Sequence, residues 1–552
     1  MIVVGSGASG LTAAVVAAKK GLKVLVLEKT KYFGGTTAYS GGAPWIPANK
    51  FQPSLGVQDD TTTADIYLRQ VLGPELYKSA EKNIKAYLES APEMLNWMED
   101  NTTVKFQPVP LPDYQPHLPG ASKGRTILPV DFNGRLLGQQ IRNIRYTLQG
   151  FTAFGSMQVT PMETDILSNP FGSVSNFTHA MKKGMGWTLD LILYGKGSFM
   201  ASGNALVGRL IYSAIQSGVT LEREMNVVKP LKEGQRVTGV LVSSKDGTTT
   251  PITAAKGVVL ATGGFGRSPE SKKYVPQEWS AVPSTNVGDG IRIGLEAGGV
   301  LPPPNPDNAI YAPLSLLQYD KTHIRRLPHF SFDRTKPGSI IVDQQGRRFT
   351  NESENYQSFV KKMHDLGIPK CYYIGDKNHL RKYGMGMALP WPYWNRNVLK
   401  KGYLIKARTI PELAGKLQIP KETLSATISR FNEFAKRGVD EEFHRGENIY
   451  DQFYGDPSKK PNPSLGPVEK GPFYALPLYP GNVSVMYGLA TNEDAQVLSK
   501  DGGVVEGLYA AGCDNNSIMR GSYPGGGSSI GPAMTFGYRA AMHMARSDGK
   551  GN

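Results

Sequence analysis

The chain has 552 residues, a formal net charge of +15, 40% hydrophobic and 20% charged residues, the balance of a soluble globular protein with two or more domains. The positive excess suits an anionic surface such as acidic lipid, but no Lys/Arg-rich tract or zinc-finger spacing accompanies it, which sets nucleic acid aside. Two cysteines, Cys371 and Cys513, are too few for an iron–sulfur cluster or a disulfide framework, and no C-x-x-C-H haem sequence or other metal-ligand spacing occurs.

Ile2-Val3-Val4 reads as an apolar strand; Gly5-Ser6-Gly7-Ala8-Ser9-Gly10 follows at once, then an alanine-rich helix over Leu11 to Lys20 and an apolar run ending in Glu28. Strand, glycine turn, helix, strand and acid predict a dinucleotide-binding fold. Gly5 makes the tight turn, Gly7 admits backbone N–H groups, Ala8 included, to a pyrophosphate, and Gly10 lets helix and strand pack closely. Glu28 is placed to accept from an adenosine ribose, with Lys29 beside it. Because residue 2 already opens the fold, the reading expects no signal peptide, and no apolar run reaches the ~18 residues of a spanning helix. A reducing, cytoplasmic setting follows from the cysteine usage.

The next loop, Phe33 to Gly42, carries two glycine pairs separated by small hydroxyl residues. Gly35, Gly41 and Gly42 let backbone lie flat against a large planar group while Thr36, Thr37 and Ser40 donate to phosphates, which suits FAD better than NAD. From Gly56 to about Lys105 the pattern is helical, with Ile66, Leu68, Leu72, Leu88, Leu95 and Met98 spaced for one buried face. A turn-rich segment from Pro108 to Thr126 contains Tyr114 and has the composition of a site-bearing loop.

Residues 138–200 combine Phe151, Phe154, Met157, Met162, Phe171, Phe177, Met181, Met185 and Trp187 with basic residues and almost no acids. Within them Trp187, Leu191 and Tyr194, with Leu189, Ile192 and Leu193 widening the face, define an apolar face with Lys182, Lys183 and Lys196 at its ends, the pattern of a helix lying in a membrane surface. A substrate lid or a subunit contact explains the same residues. Asn204 to Ser217 is a core helix, and Leu221 to Gly264 reads as a β-meander in which Val227 sits where backbone atoms hold an adenine. Its last strand enters Ala261-Thr262-Gly263-Gly264, a cofactor-side turn.

The composition shifts at Pro302-Pro303-Pro304, where the segment 299–471 begins, a catalytic domain of α+β type. It is predicted to hold strands at Ile340–Asp343 and Tyr372–Ile374, an aromatic cluster Trp391-Pro392-Tyr393-Trp394, and a helix marked by Leu424, Ile428, Phe431 and Ala435. Gly507 to Gly512 then repeats the strand-to-glycine theme, and Ser528-Ser529-Ile530 starts a final helix whose positive end suits the pyrimidine edge of a flavin. The expected architecture is α/β: a Rossmann-like FAD-binding domain over 1–298 and 472–552, interrupted by the catalytic domain.

The Gly-Gly-Thr loop, Asn351-Glu352-Ser353-Glu354-Asn355-Tyr356, Gly438-Val439-Asp440-Glu441-Glu442-Phe443-His444-Arg445-Gly446 and Tyr523-Pro524-Gly525-Gly526-Gly527 together resemble the 3-ketosteroid Δ1-dehydrogenases. The resemblance covers nearly the whole chain except 138–200. It implies FAD and removal of hydrogen from C1 and C2 of a steroid's ring A, the proton going to Tyr356 and the hydride to flavin N5. It also implies that the Tyr523 hydroxyl and Gly527 N–H hold the C3 carbonyl and that Tyr114 assists Tyr356. Gly526 stands where the motif often has Pro. The length of 138–200 is similar to that of membrane-associating members acting on cholest-4-en-3-one, which implies a sterol substrate and a peripheral place on the inner face of a membrane. With no cluster or haem ligands in the sequence, electrons are expected to leave through a diffusible acceptor, quinones among the candidates, or a partner. A fumarate-reductase-like flavoprotein is the rival on the same scaffold, but only Arg520 is available near the C-terminal motif for a dicarboxylate. A membrane-surface flavoprotein without chemistry of its own leaves the Tyr-Pro-Gly-x-Gly element unexplained.

Overall fold

The computed structural model describes residues 1–148, 152–153, 156–159, 163, 166–167, 170–276, 278–390 and 395–546. Phe151, Phe154, Met162 and the cluster Trp391 to Trp394 lie outside them. The chain divides into two compact units, one of Met1–Pro276, Val282–Ala309 and Ser484–Asn552, the other of Gln277–Ala281 and Ile310–Val483.

The first unit is built on a six-stranded sheet. Val504–Ala510, Val258–Leu260, Ile2–Val4, Leu25–Glu28 and Thr220–Arg223 lie side by side in parallel, and Gln496–Leu498 pairs antiparallel at one edge. Central parallel strands are covered on both faces and need apolar residues at consecutive positions; Ile2 to Val4 and Val258 to Leu260 are all buried. The predicted meander is therefore split. Met225–Glu233, Arg236–Ser244 and Thr249–Thr253 form a separate antiparallel sheet, whereas Thr220–Arg223 and Val258–Leu260 belong to the parallel one. The fully apolar 258–260 run fits two-sided burial and the largely exposed, Thr-rich 249–253 run does not.

The helical stretch after Gly56 resolves into Thr61–Leu72 and Pro74–Asn101. Asp60 caps the first, accepting from the Thr63 N–H at 2.6 Å, and Gly73 (φ +75°) with Pro74 breaks the two apart. Leu68, Leu72, Leu88, Leu95 and Met98 are buried, but Ile66 is not, being 43% exposed. The helix expected at 204–217 spans Ser202–Gln216.

Within 138–200 the helix is Val174–Tyr194, and it is turned differently from the expectation. Asp190 is buried: it accepts from the Ser198 N–H and Oγ at 3.0 and 2.6 Å and from Arg135 Nε at 2.8 Å. That fixes the rotation of the helix and turns Trp187, one turn earlier, toward the protein, where its Nε1 donates to Ser156 Oγ at 3.0 Å. Lys196 is buried, donates to the Ile144 carbonyl at 3.0 Å, and is held down at about 8 by that burial. Lys183 pairs with Glu163 at 2.5 Å; of the three lysines only Lys182 is exposed. The outward apolar face keeps Leu189, Ile192 and Leu193 of the expected one and continues through Val174, Phe177, Met181 and Met185, with Phe171 just before it. No helix among the described residues is long and apolar enough to cross a membrane.

The second unit holds a sheet in the order Ile324–Pro328, Ala309–Gln318, Phe473–Val485, Cys371–Gly375, Ser339–Val342. The two strands read from sequence near 340 and 372 are antiparallel neighbours, with Ile340 opposite Ile374. Helix Lys421–Arg437 buries Leu424, Ile428, Phe431 and Ala435 in one cluster with Ile340, Val342 and Tyr372. The same unit buries an ion cluster. Arg348 makes paired bonds to Glu352 (2.8 and 2.8 Å) and to Asp440 (2.8 and 2.6 Å), and Arg445 lies 3.4 Å from Glu352. Two guanidinium groups balance two carboxylates, as burial of charge requires. Removing one partner of such a cluster costs about 3–5 kcal/mol. Arg348→Ala is therefore expected to lower the thermal unfolding temperature sharply, whereas Arg437→Ala, which breaks an exposed pair with Glu441, should shift it little; equal shifts by differential scanning calorimetry would contradict this reading.

Candidate active site

The cofactor residues read from sequence all lie in the first unit, most of them around the carboxyl ends of its parallel strands. Gly10 is there for packing: a Cβ on it would stand 2.2 Å from the Gly5 carbonyl oxygen. Gly7 differs, since its nearest neighbour would be Thr37 Oγ1 at 3.6 Å; a Cβ on Gly35 would come no nearer than 3.8 Å to Gly7, and one on Gly41 would meet nothing within 4 Å. Gly7 and Gly41, with open faces and neither a crowding neighbour nor a left-handed backbone to explain the lack of a side chain, make with Gly35 (φ +49°) a cradle into which a cofactor's backbone-bound phosphates fit. Gly7 caps helix Ala8–Lys19 without a side chain, and the Ala8 N–H donates to Thr37 Oγ1 at 3.0 Å. Gly42 and Gly203 pack backbone to backbone, and the Ser40 hydroxyl donates to the Thr37 carbonyl at 2.8 Å, so the loop is held by helix Ser202–Gln216.

Glu28 is buried and accepts from Ser6 Oγ at 2.6 Å and from the Thr30 N–H at 2.9 Å, one bond to each oxygen. Lys29 is ion-paired with Asp289. Val227 is buried on the strand Met225–Glu233 just before a bulge, where the ladder shifts between Val227 and Lys229. Thr262 donates its hydroxyl to Asp514 at 2.9 Å and accepts from the Gly290 N–H at 3.0 Å. Gly263 has φ +93° and its carbonyl accepts from Asn286 Nδ2 at 3.0 Å.

Asp514 is a residue that sequence reasoning misses. It is fully buried, accepts from the Thr262 and Gly264 N–H groups at 2.5 and 3.1 Å, and is pushed up to about 6 by its burial. It ties the end of strand Val504–Ala510 to the end of strand Val258–Leu260. Asn286 does similar work, also donating to Thr36 Oγ1 at 3.0 Å. Gly512, two residues before Asp514, has φ +69° and packs on Ser9. A sequence carries no periodic mark of such residues; the single signal is an acid directly after a strand-to-glycine element.

The second feature is the turn Tyr523 to Gly527, which leads into helix Ile530–Arg546. Gly527 has φ +93°, and a Cβ there would stand 2.0 Å from the Ala43 carbonyl oxygen, so no other residue fits. Its carbonyl accepts from the Trp45 N–H at 3.1 Å. The Tyr523 hydroxyl lies 3.4 Å from Ser529 Oγ, and its ring is 5.7 Å from that of Tyr114. Tyr114 is tied to the same turn, donating its N–H to the Pro524 carbonyl at 2.9 Å. Tyr114, Tyr523, Gly527, Ser529 and Ile530 are thus brought together. At Gly526 a Cβ would meet Leu111 at 3.3 Å.

Tyr356 belongs to the second unit, as the first residue of helix Tyr356–Asp365. It is buried, with its ring 4.8 Å from that of Phe330 in an edge-on arrangement. Asn355 caps the helix by accepting from the Ser358 N–H at 2.9 Å, and Arg334 holds the carbonyls of Glu352 and Glu354 at 2.6 and 2.7 Å. Arg520 is committed elsewhere: it donates to Ser79 Oγ and the Ser79 carbonyl at 3.1 and 2.9 Å, and burial lowers it to about 10.

Against known proteins, a family model described as FAD binding domain matches residues 1–530. The chain is 37% identical to the 3-oxosteroid 1-dehydrogenase of Mycobacterium tuberculosis over 100% of its length and 99% of that protein. It is 35% identical to the 4-oxocyclohex-2-ene-1-carboxylate 5-dehydrogenase of Sinomonas cyclohexanicum, over 99% and 93% of the two chains. It superposes with a TM-score of 0.88 on the 3-ketosteroid delta1-dehydrogenase of Sterolibacterium denitrificans in complex with 1,4-androstadiene-3,17-dione, at 34% identity and 99% coverage of each chain.

The glycine geometry separates two kinds of variant. Gly10→Ala is expected to yield little folded protein, while Gly7→Ala should fold with an unchanged melting profile for the FAD-free form and hold FAD at least ~10-fold more weakly, a loss of about 1.4 kcal/mol. Flavin absorbance after gel filtration, with fluorescence titration of the FAD-free protein, measures both; equal FAD affinity for parent and Gly7→Ala would overturn the assignment of Gly7.

Proposed function

We infer the activity from family and site together: the chain belongs to the FAD binding domain family and, within it, to the 3-ketosteroid Δ1-dehydrogenases. It is an FAD-dependent oxidoreductase. We propose that its substrate is a 3-oxosteroid, including sterol-type ketones such as cholest-4-en-3-one, and that it places a double bond between C1 and C2 of ring A. FAD supplies an acceptor for the C1 hydrogen and its electron pair.

This chain's own residues handle the proton and the carbonyl. A C2–H bond beside a ketone becomes acidic only where the enolate oxygen is stabilised, and a hydroxyl with a backbone N–H does this. Tyr523 and Gly527 are those donors. The observation that carries the reading is the turn they share, whose backbone no side chain at 527 permits and whose tyrosine stands beside Tyr114. Tyr356 takes the C2 proton, with Tyr114 as its assistant; a phenol is a weak base near neutrality, and hydrogen bonding to its anion favours the reactive form. Electrons leave to a diffusible acceptor of the quinone class.

Tyr356→Phe is expected to keep FAD and nearly abolish turnover of androst-4-ene-3,17-dione with an artificial acceptor. Tyr523→Phe should lower kcat by about 10²–10³, the usual effect of deleting one oxyanion donor. A change confined to KM would make Tyr523 a binding residue only. The similarity to the Sinomonas cyclohexanicum protein favours a second reading, a monocyclic 4-oxo acid as substrate. Turnover of 4-oxocyclohex-2-ene-1-carboxylate exceeding that of every 3-oxosteroid tried would select it.

The outward face of helix Val174–Tyr194 supports contact with a membrane surface, from which a poorly soluble sterol would be drawn. Apolar side chains there enter lipid, and the net charge of +15 favours anionic headgroups. Each buried aliphatic side chain contributes about 1.5–3 kcal/mol. Met185→Glu with Ile192→Glu is therefore expected to abolish co-sedimentation with anionic liposomes. Undiminished sedimentation would remove the membrane reading and leave a lid or subunit contact.

A further inference from the structure

Behind the turn Tyr523 to Gly527 lies a buried charge cluster that the chemistry above does not use. Arg125 is fully buried. It binds both oxygens of Asp59 at 2.6 and 2.8 Å, Asp113 Oδ2 at 2.7 Å and the Gly120 carbonyl at 2.9 Å. The other Asp113 oxygen accepts from Trp45 Nε1 at 2.8 Å, and Oδ2 also accepts from the Ser122 N–H at 3.0 Å. The Trp45 indole is thereby fixed in its own plane. A Cβ on Gly525 would lie 2.5 Å from the indole Cδ1 and Nε1, so the turn presses directly on this ring. The Trp45 main chain grips the same turn through its N–H to the Gly527 carbonyl. Asp113 precedes Tyr114, whose N–H holds the Pro524 carbonyl, and the Tyr67 hydroxyl donates to that carbonyl at 2.7 Å.

We propose that Asp113 and Arg125 are positioning residues of the carbonyl site: acting through Trp45, they set the orientation of the Gly527 N–H and of the Tyr523 hydroxyl relative to Tyr114. A donor misplaced by about 1 Å loses much of its effect on the transition state, and a turn that contains three consecutive glycines has little stiffness of its own. The stiffness comes from the indole, and the indole's orientation comes from a carboxylate that the guanidinium holds. This rests on the reading of Tyr523 and Gly527 as the carbonyl donors.

The test uses FAD-loaded enzyme with androst-4-ene-3,17-dione, rates being normalised to bound flavin. Trp45→Phe keeps an aromatic ring and removes the bond to Asp113; Asp113→Asn keeps an acceptor for Trp45 and removes the charge that holds Arg125. Both are expected to lower kcat tenfold or more with KM changed less than threefold, and to reduce the red shift expected of the dienone product's ultraviolet band on binding to the parent enzyme, which reads carbonyl polarisation without turnover. Asp113→Glu should recover part of the kcat. Tyr523→Phe is the control. If it loses kcat and the band shift while Trp45→Phe and Asp113→Asn retain both per flavin, the positioning role is overturned and the carbonyl site stands. If Tyr523→Phe itself retains parent kcat, the carbonyl site falls and the inference with it. Loss of thermal stability in the two variants without loss of kcat per flavin marks a purely structural cluster and likewise overturns the proposal.

Discussion

The first unit depends on a close approach of backbone to backbone at the carboxyl ends of its central strands. Gly10 meets Gly5 and Gly5 meets Ala261, backbone against backbone and too near for a side chain to intervene, and Gly512 packs on the Ser9 side chain. These contacts bring three strand ends, after Val4, Leu260 and Ala510, to one edge of the sheet. Asp514 then ties two of them with bonds to main-chain N–H groups. A buried carboxylate with several such donors replaces much of its lost hydration. The cradle is consequently stiff where it is made of protein, and it is open beside Gly7, Gly35 and Gly41.

Much of this is legible in the residues themselves. The strand-turn-helix at the amino end, the helices that carry Leu95 and Ile428, and the strands near 340 and 372 follow from local periodicity, which needs no knowledge of distant partners. Asp514, Asn286, Asp113 and Arg125 escape such a reading because their meaning lies in contacts with residues remote in sequence. The helix Val174–Tyr194 shows the same limit from the other side. Its apolar residues nearly encircle it, so the hydrophobic pattern leaves its rotation open, and one acid, Asp190, decides the matter by finding Ser198 and Arg135. The β-meander reading holds for the strands from Met225 to Ser244 and fails at its last strand, because an apolar triplet serves an antiparallel or a parallel strand equally well until its neighbours are known.

In the second unit the motif around Tyr356 and the run Gly438 to Gly446 gain a common explanation. Glu352 from the first is bound by Arg348 and approached by Arg445, and Asp440 from the second is bound by Arg348 too. Two stretches far apart in sequence are one object in space. Glu352, Asp440 and Arg445 are among the most deeply buried polar groups of the unit. What they hold in place is the segment that ends in Tyr356, the start of a short helix whose other support is Arg334 on the carbonyls before it.

The order of strands in the parallel sheet bears on how the polypeptide acquires its shape as it is made. Ile2–Val4 has Val258–Leu260 on one side, and that strand in turn has Val504–Ala510 beyond it. At a synthesis rate of ~5–20 residues per second, roughly 250 residues separate each arrival, a wait of ~10–50 seconds. Until the last strand emerges from the ribosome, Val258–Leu260 presents an unpaired edge of an apolar sheet, the kind of surface on which nascent chains aggregate. The second unit, continuous from Ile310 to Val483 apart from one short piece, is free to fold during that wait. The cell that makes this chain therefore has to shield a half-built sheet for most of its synthesis, a demand on chaperones written into the strand order.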